Sequence, residues 1–307
     1  MKGPIGVGTG LRSVQARRLR ESRNLASLGR RVWRSRGGLI GGSIVIVALC
    51  AAAIGPYLVP VDPIEVDLGN RLAPPFWQAQ GSAVHPLGTD HLGRDVLARL
   101  LHGSRISMMV GLVTVVVAGS LGVSLGLVSG YFGGTLDAVI MRAADVQQAF
   151  PFLALAITVV AVLGPSTRNI IIILGVGGWV LFARVTRAEV LRAREEVYVE
   201  AAGSIGASNV RIIVRHIMPN IASPIIVLAS FAFSLMVVSE SALSFIGLGV
   251  QPPTPSWGSM LYDARNYLEA AWWLPSFPGL AIMFLVLGVN VFGDWLRDYL
   301  DPRMRVV

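Results

Sequence analysis

Lysine is almost missing from this 307-residue chain, in which Lys2 is the only one. A Walker A loop needs a lysine on the nucleotide phosphates. The chain is therefore not a conventional P-loop ATPase by itself, and lysine Schiff-base chemistry has no seat beyond the N-terminal tail. Cysteine is as scarce. Cys50 stands alone, so no intrachain disulfide can form. Four scattered histidines and one cysteine make a poor basis for a zinc site. H-E-x-x-H does not occur, which leaves an integral membrane enzyme without its usual metal signature. Charge is thin at 14%, against about 25% in an average soluble domain.

What fills the chain is apolar. Hydrophobic residues make up 53%, and the mean hydropathy is +0.63. Disorder requires the opposite balance. The composition indicates an all-α integral membrane protein that crosses the bilayer several times.

Six apolar stretches are long enough to cross. They cover 39–59, 106–129, a third ending at 163 and starting between 136 and 146, 169–183, 218–241 and 272–293. The fourth is short and bounded by Arg168 and Arg184, whose side chains can reach the interfaces. Gly122, Gly126 and Gly130 recur at four-residue spacing in the second stretch, a pattern suited to close helix packing. Pro151 and Pro224 predict kinks in the third and fifth.

Basic residues fix an orientation. Residues 1–37 hold ten bases and one acid. A basic tail can bind nucleic acid, but beside a span it marks the cytoplasmic side, and no nucleic-acid partner is expected. With the N-terminus inside and six alternating spans, 20 of 26 bases lie inside and both termini are cytoplasmic. Ala51 and Ala53 resemble a signal cleavage site, yet the basic region and the apolar run are too long for a signal peptide. The predicted organisation is a tail at 1–37, a first span at 38–60 and an external segment at 61–104. A five-helix core at 105–294 and a second tail at 295–307 complete it.

The connecting segments are patterned. Residues 60–104 are broken by five prolines and carry an amphipathic stretch from Asp95 to Leu101, predicted as a helix ahead of the second span. They hold His85 and His91, which are read as part of a solvated loop rather than a metal pair. Residues 184–217 are helical in composition with charges of both signs, and such a face needs a partner surface. Asp145, Glu240 and Asp294 lie in or beside apolar runs, where acids face a cavity or a partner. Arg142 stands three residues before Asp145, so a local ion pair is predicted. For Asp145 and Glu240, a structural hydrogen-bonding role and a place on a transport path both remain open.

Glu200-Ala201-Ala202, then Gly206, His216 and Pro219, resembles the EAA loop of ABC-importer permeases. It falls in an internal loop between late spans, where that family carries it. HPLGTDHLGRDVLARLLHGSRIS from His85, ESALSFIGLGVQPPTPSWGSML from Glu240 and NVFGDWLRDYLDPR from Asn290 resemble segments of the C-type permeases of dipeptide, oligopeptide and nickel importers. The likeness runs over residues 28–307. It implies a type I permease fold with a cytoplasmic coupling helix, and a homologous second permease beside it. It also implies two P-loop ATPase subunits carrying ATP-Mg, an external solute-binding protein and a place in the bacterial cytoplasmic membrane. The chain itself would be non-catalytic and bind no cofactor or metal. Glu200, Ala201, Ala202, Gly206, His216 and Pro219 would form the loop that meets the ATPases, and short peptides would be the cargo. Nickel remains the alternative, since His85, His91 and His102 all fall on the external side. A gradient-driven secondary transporter using Asp145 and Glu240 is the rival from another class.

Overall fold

The computed structural model describes residues 35–300, so the basic tail and the last seven residues lie outside it. Among the described residues there is no strand beyond an isolated bridge between Thr89 and Asp95. Five helices are long and apolar enough to cross a membrane, and a bent pair of helices makes a sixth span.

Helix α1, Arg36–Leu58, starts on Ser35, whose hydroxyl accepts from the Gly38 N–H. Pro56 sits inside it and has no N–H for the Ala52 carbonyl. Arg105 of helix α2, Val96–Phe132, fills that gap. Its guanidinium donates to the Ala52 and Ala53 carbonyls at 3.1 Å each and lies 5.4 Å over the Tyr57 ring. A basic residue near the start of one long helix thus holds the proline-weakened turn of another.

At 37 residues α2 is about 55 Å long, well beyond a bilayer core of roughly 30 Å. Asp95 caps it by accepting from the Ala98 N–H at 2.7 Å. The amphipathic helix predicted from Asp95 to Leu101 is therefore not separate. It forms the first turns of the second span.

The third span is broken. Helices α3, Gly134–Gln148, and α4, Phe152–Leu163, meet at 82°. The bend falls at 149–151, where Pro151 lacks an N–H and restrains the residue before it. Gly133 and Gly134, with φ of +65° and +57°, make the turn between α2 and α3.

The fourth span is longer than its apolar run. Helices α5, Thr167–Gly177, and α6, Trp179–Arg194, together form a stretch of 28 residues. The added turns pack along the glycines of α2. A Cβ on Gly126 would sit 2.6 Å from the Ala183 carbonyl, and one on Gly130 would sit 2.8 Å from Val190. The glycine spacing serves helix packing, as its pattern predicts.

Past α6 come α7, Val197–Ser204, and α8, Asn209–Ile212. A π-helical turn, Ile213–Ile217, then leads into α9, Met218–Phe245. Pro219 cannot donate to Arg215 and its ring crowds that carbonyl, and the wider turn accommodates it. Helix α10, Trp257–Ala264, is short, and α11, Trp273–Leu300, is the last span. One apolar cluster joins α2, α9, α10 and α11, including Trp257, Trp273 and Val237. A second around Phe182, Leu174 and Met236 occupies the middle. A third around Val190, Ile217 and Ile221 lies under α7.

Candidate functional site

Glu200 stands in the middle of α7, not at its start, because the helix begins three residues earlier at Val197. The helix ends in a Schellman turn. The Ala207 N–H donates to the Ala202 carbonyl at 3.1 Å, and the Gly206 N–H to the Gly203 carbonyl at 2.9 Å. Gly206 takes φ +82°, which an L side chain rarely adopts, so glycine is required there by the backbone alone. Nothing lies within 4 Å of where its Cβ would be.

The loop has two faces. Val199 and Ala202 turn inward onto Val190 and Ala193 of α6 and onto Ile212, Ile217 and Ile221. Glu200, Ala201 and Gly206 face outward with Pro219. Ala202 is thus part of the chain's own core rather than of its outer surface. His216 is partly buried in the π turn, and its carbonyl accepts from Asn220. Sequence reasoning missed four further residues. Val197, Ile205, Val210 and Val214 are exposed, Ile205 at 86%, and make the surface of this loop apolar. Their periodicity was obscured because the segment comprises three short pieces rather than one helix.

Glu240 is fully buried in α9. One carboxylate oxygen accepts from Ser244 at 2.7 Å and Ser256 at 3.2 Å, and the other from Ser107 and Ser241 at 3.4 Å each. Ser107 in turn accepts from the Trp257 N–H at 3.2 Å. The carboxyl ties α2, α9 and α10 together and is shut off from any open surface. Serines at 107 and 256 were the missed signal, being far from Glu240 in sequence.

Asp145 behaves differently. It pairs with Arg184 at 2.7 Å and not with Arg142, so the predicted local pair does not form. Both side chains remain about half exposed, 55% for Asp145 and 43% for Arg184. Below this pair, Asp137 takes two bonds of 2.6 Å from Arg187 and one of 2.5 Å from Ser129. Asp137 was not singled out in the sequence. Its cue was a second acid on α3 facing a second arginine on α6. Asp294 is exposed near the inner end of α11.

In the segment before α2, Arg94 and Arg99 bind both Asp90 and Asp263 at 2.7–3.5 Å, fastening that segment to α10. His85 contacts Asp95 at 2.9 Å, and His102 contacts the Ala98 carbonyl at 2.9 Å. His91 stacks on Tyr267 at 5.5 Å. The three histidines are thus engaged separately. Asp90, His91 and Asp263 do bring one donor atom each within 4.8 Å of one another. Both carboxylates already serve two guanidiniums, which would repel a cation, so this group is assigned to holding the loop.

The chain is similar over most of its length to named proteins. It is 42% identical over 277 residues to the di/tripeptide transport system permease protein DppC of Pseudomonas aeruginosa, covering 89% of this chain and 91% of that one. It is 44% identical over 272 residues to the dipeptide transport system permease protein DppC of Escherichia coli K12, covering 89% and 91%. The corresponding protein of Haemophilus influenzae is 39% identical over 272 residues, covering 89% and 92%. Among solved structures, a chain of the inward-facing MetNI methionine ABC transporter superposes with a TM-score of 0.54. That match has 17% identity, covers 66% of this chain and 96% of the other, and speaks for the fold alone. Residues 27–75 match the N-terminal TM domain of oligopeptide transport permease C. Residues 122–306 match the binding-protein-dependent transport system inner membrane component, and with relatives of this identity and coverage the chain belongs to that family.

Proposed function

We propose that this chain is the C-type permease subunit of an ATP-driven importer of di- and oligopeptides in the bacterial cytoplasmic membrane. Its partners in this reading are a homologous second permease, two cytoplasmic P-loop ATPases and an external solute-binding protein. The observation that carries the reading is the near-full-length likeness to permeases named for dipeptide transport. His85 and His102 are each engaged apart from His91, which weakens the local argument for nickel. The fully enclosed Glu240 weakens the gradient-driven alternative, because an ion site must open to an aqueous route.

The coupling mechanism follows from where α7 sits. Glu200, Ala201 and Gly206 at its outer face, with His216 and Pro219 behind, would meet the ATPases, and the exposed Ile205 and Val210 would enter their apolar surface. Val199 and Ala202 press on α6 and on the foot of α9. Close-packed apolar side chains transmit displacement rather than absorb it. A push from closing ATPases would therefore tilt α6 and α9 together and rock the spans between outward-open and inward-open states. ATP-Mg acts on the partner subunits, where its hydrolysis supplies the free energy. This chain's residues only receive the motion.

The test is the double substitution Glu200→Lys with Gly206→Trp. The expected result is normal membrane insertion with peptide uptake lost and ATP hydrolysis uncoupled from it. Normal uptake would overturn the assignment of this loop.

A further inference from the structure

Helix α3 divides its surface into three stripes. One packs inward through Ala144, Gln147 and Asp137. A second carries Leu136, Val139 and Val146, all exposed and apolar, as a lipid-facing surface requires. A third, about a quarter turn away at 100° per residue, carries Thr135, Ala138, Arg142, Asp145 and Ala149, also exposed. This third stripe holds no large apolar side chain.

Its depth is fixed by α6. Ala183 packs on Gly122 and Gly126 of α2, so Arg184 and its partner Asp145 lie level with α2's uncharged run at 106–129. Arg194, ten residues on and about 15 Å lower, reaches the Tyr131 carbonyl at the inner end of α2. The half-exposed pair thus lies level with the last third of that uncharged run, where a charged group faces a cavity or a partner and not acyl chains. A dry protein interface is the poorer match. Among the described residues no ion pair forms at Arg142, and burying it beside the Asp145–Arg184 pair would leave one charge to be compensated from outside. Water needs no such complement.

We infer that the stripe Thr135, Ala138, Arg142, Asp145 and Ala149, with Arg184, lines the water-filled translocation route. There the Asp145–Arg184 pair and Arg142 present both signs of charge to the terminal ammonium and carboxylate of a passing peptide. This deepens the permease reading and rests on it.

The experiment places single cysteines in a Cys50→Ser chain purified with its partner subunits in lipid nanodiscs. Thr135→Cys, Ala138→Cys and Ala149→Cys report the polar stripe without touching the ion pair, and Val139→Cys and Val146→Cys report the apolar one. Charged methanethiosulfonates should modify the polar-stripe thiols at least about tenfold faster, since they react with hydrated thiolates. Saturating dipeptide with its binding protein should slow that labelling. Equal, slow labelling of both stripes in the complex would overturn the inference, as would fast polar-stripe labelling only after the partners are stripped away. Co-purification of P-loop ATPases and peptide-stimulated hydrolysis are scored on the same sample. Their absence would overturn the permease reading itself, separately from the thiol rates.

Discussion

Four hydroxyls surround the Glu240 carboxyl, and removing their common acceptor leaves buried donors without partners. Glu240→Ala should cost on the order of 3 kcal/mol or more, while Glu240→Gln, which keeps an acceptor of the same shape, should cost about 1–2 kcal/mol. Thermal unfolding in detergent ranks the two. Equal effects would mean that the serines find other partners. Arg105→Met keeps the apolar stem but abandons the Ala52 and Ala53 carbonyls, and should lower stability by roughly 1–3 kcal/mol. An Arg105→Lys chain should recover only part, because a single ammonium does not match the fork of the guanidinium. Little of this was readable beforehand. Pro56 announces an orphan carbonyl, yet nothing local says that an arginine some fifty residues on will fill it.

At the scale of elements, the glycines of α2 separate packing from mere helix content. Gly126→Val should push α6 away and sharply reduce folded yield, since its Cβ would meet the Ala183 carbonyl and Thr186. Gly279→Ala in α11 meets nothing within 4 Å and should be neutral or stabilising by up to about 1 kcal/mol. Fluorescence size-exclusion profiles of the two variants check the contrast. The spans themselves were legible because each must present about 20 apolar residues, and hydropathy reads that directly. The end of the fourth span was not. Arg184 and Arg187 mark a boundary on hydropathy grounds, but acids on α3 hold them inside the helical run. The same long-range competition defeats the local Arg142–Asp145 pair. The bend before α4 was half legible, since Pro151 marks the place but not the 82° angle.

For the whole molecule, the described chain has surfaces that it does not cover itself. Apolar residues around α7 are exposed, and so is the polar stripe of α3. The first was foreshadowed by the amphipathic pattern of 184–217 and by the EAA resemblance. The second was hidden, because three helical faces of one broken span had to be sorted by burial before a stripe emerged. Both point to a subunit that works only in an assembly, with energy applied at one end and solute handled along another face. The most direct measurement of that account is co-purification from mild detergent through a C-terminal tag, followed by reconstitution with the external binding protein and a labelled dipeptide. The account predicts that a homologous permease and P-loop ATPases come with the chain, and that uptake requires ATP and survives collapse of the proton gradient. A chain that purifies alone, or uptake that ignores ATP and stops when the gradient collapses, would contradict it.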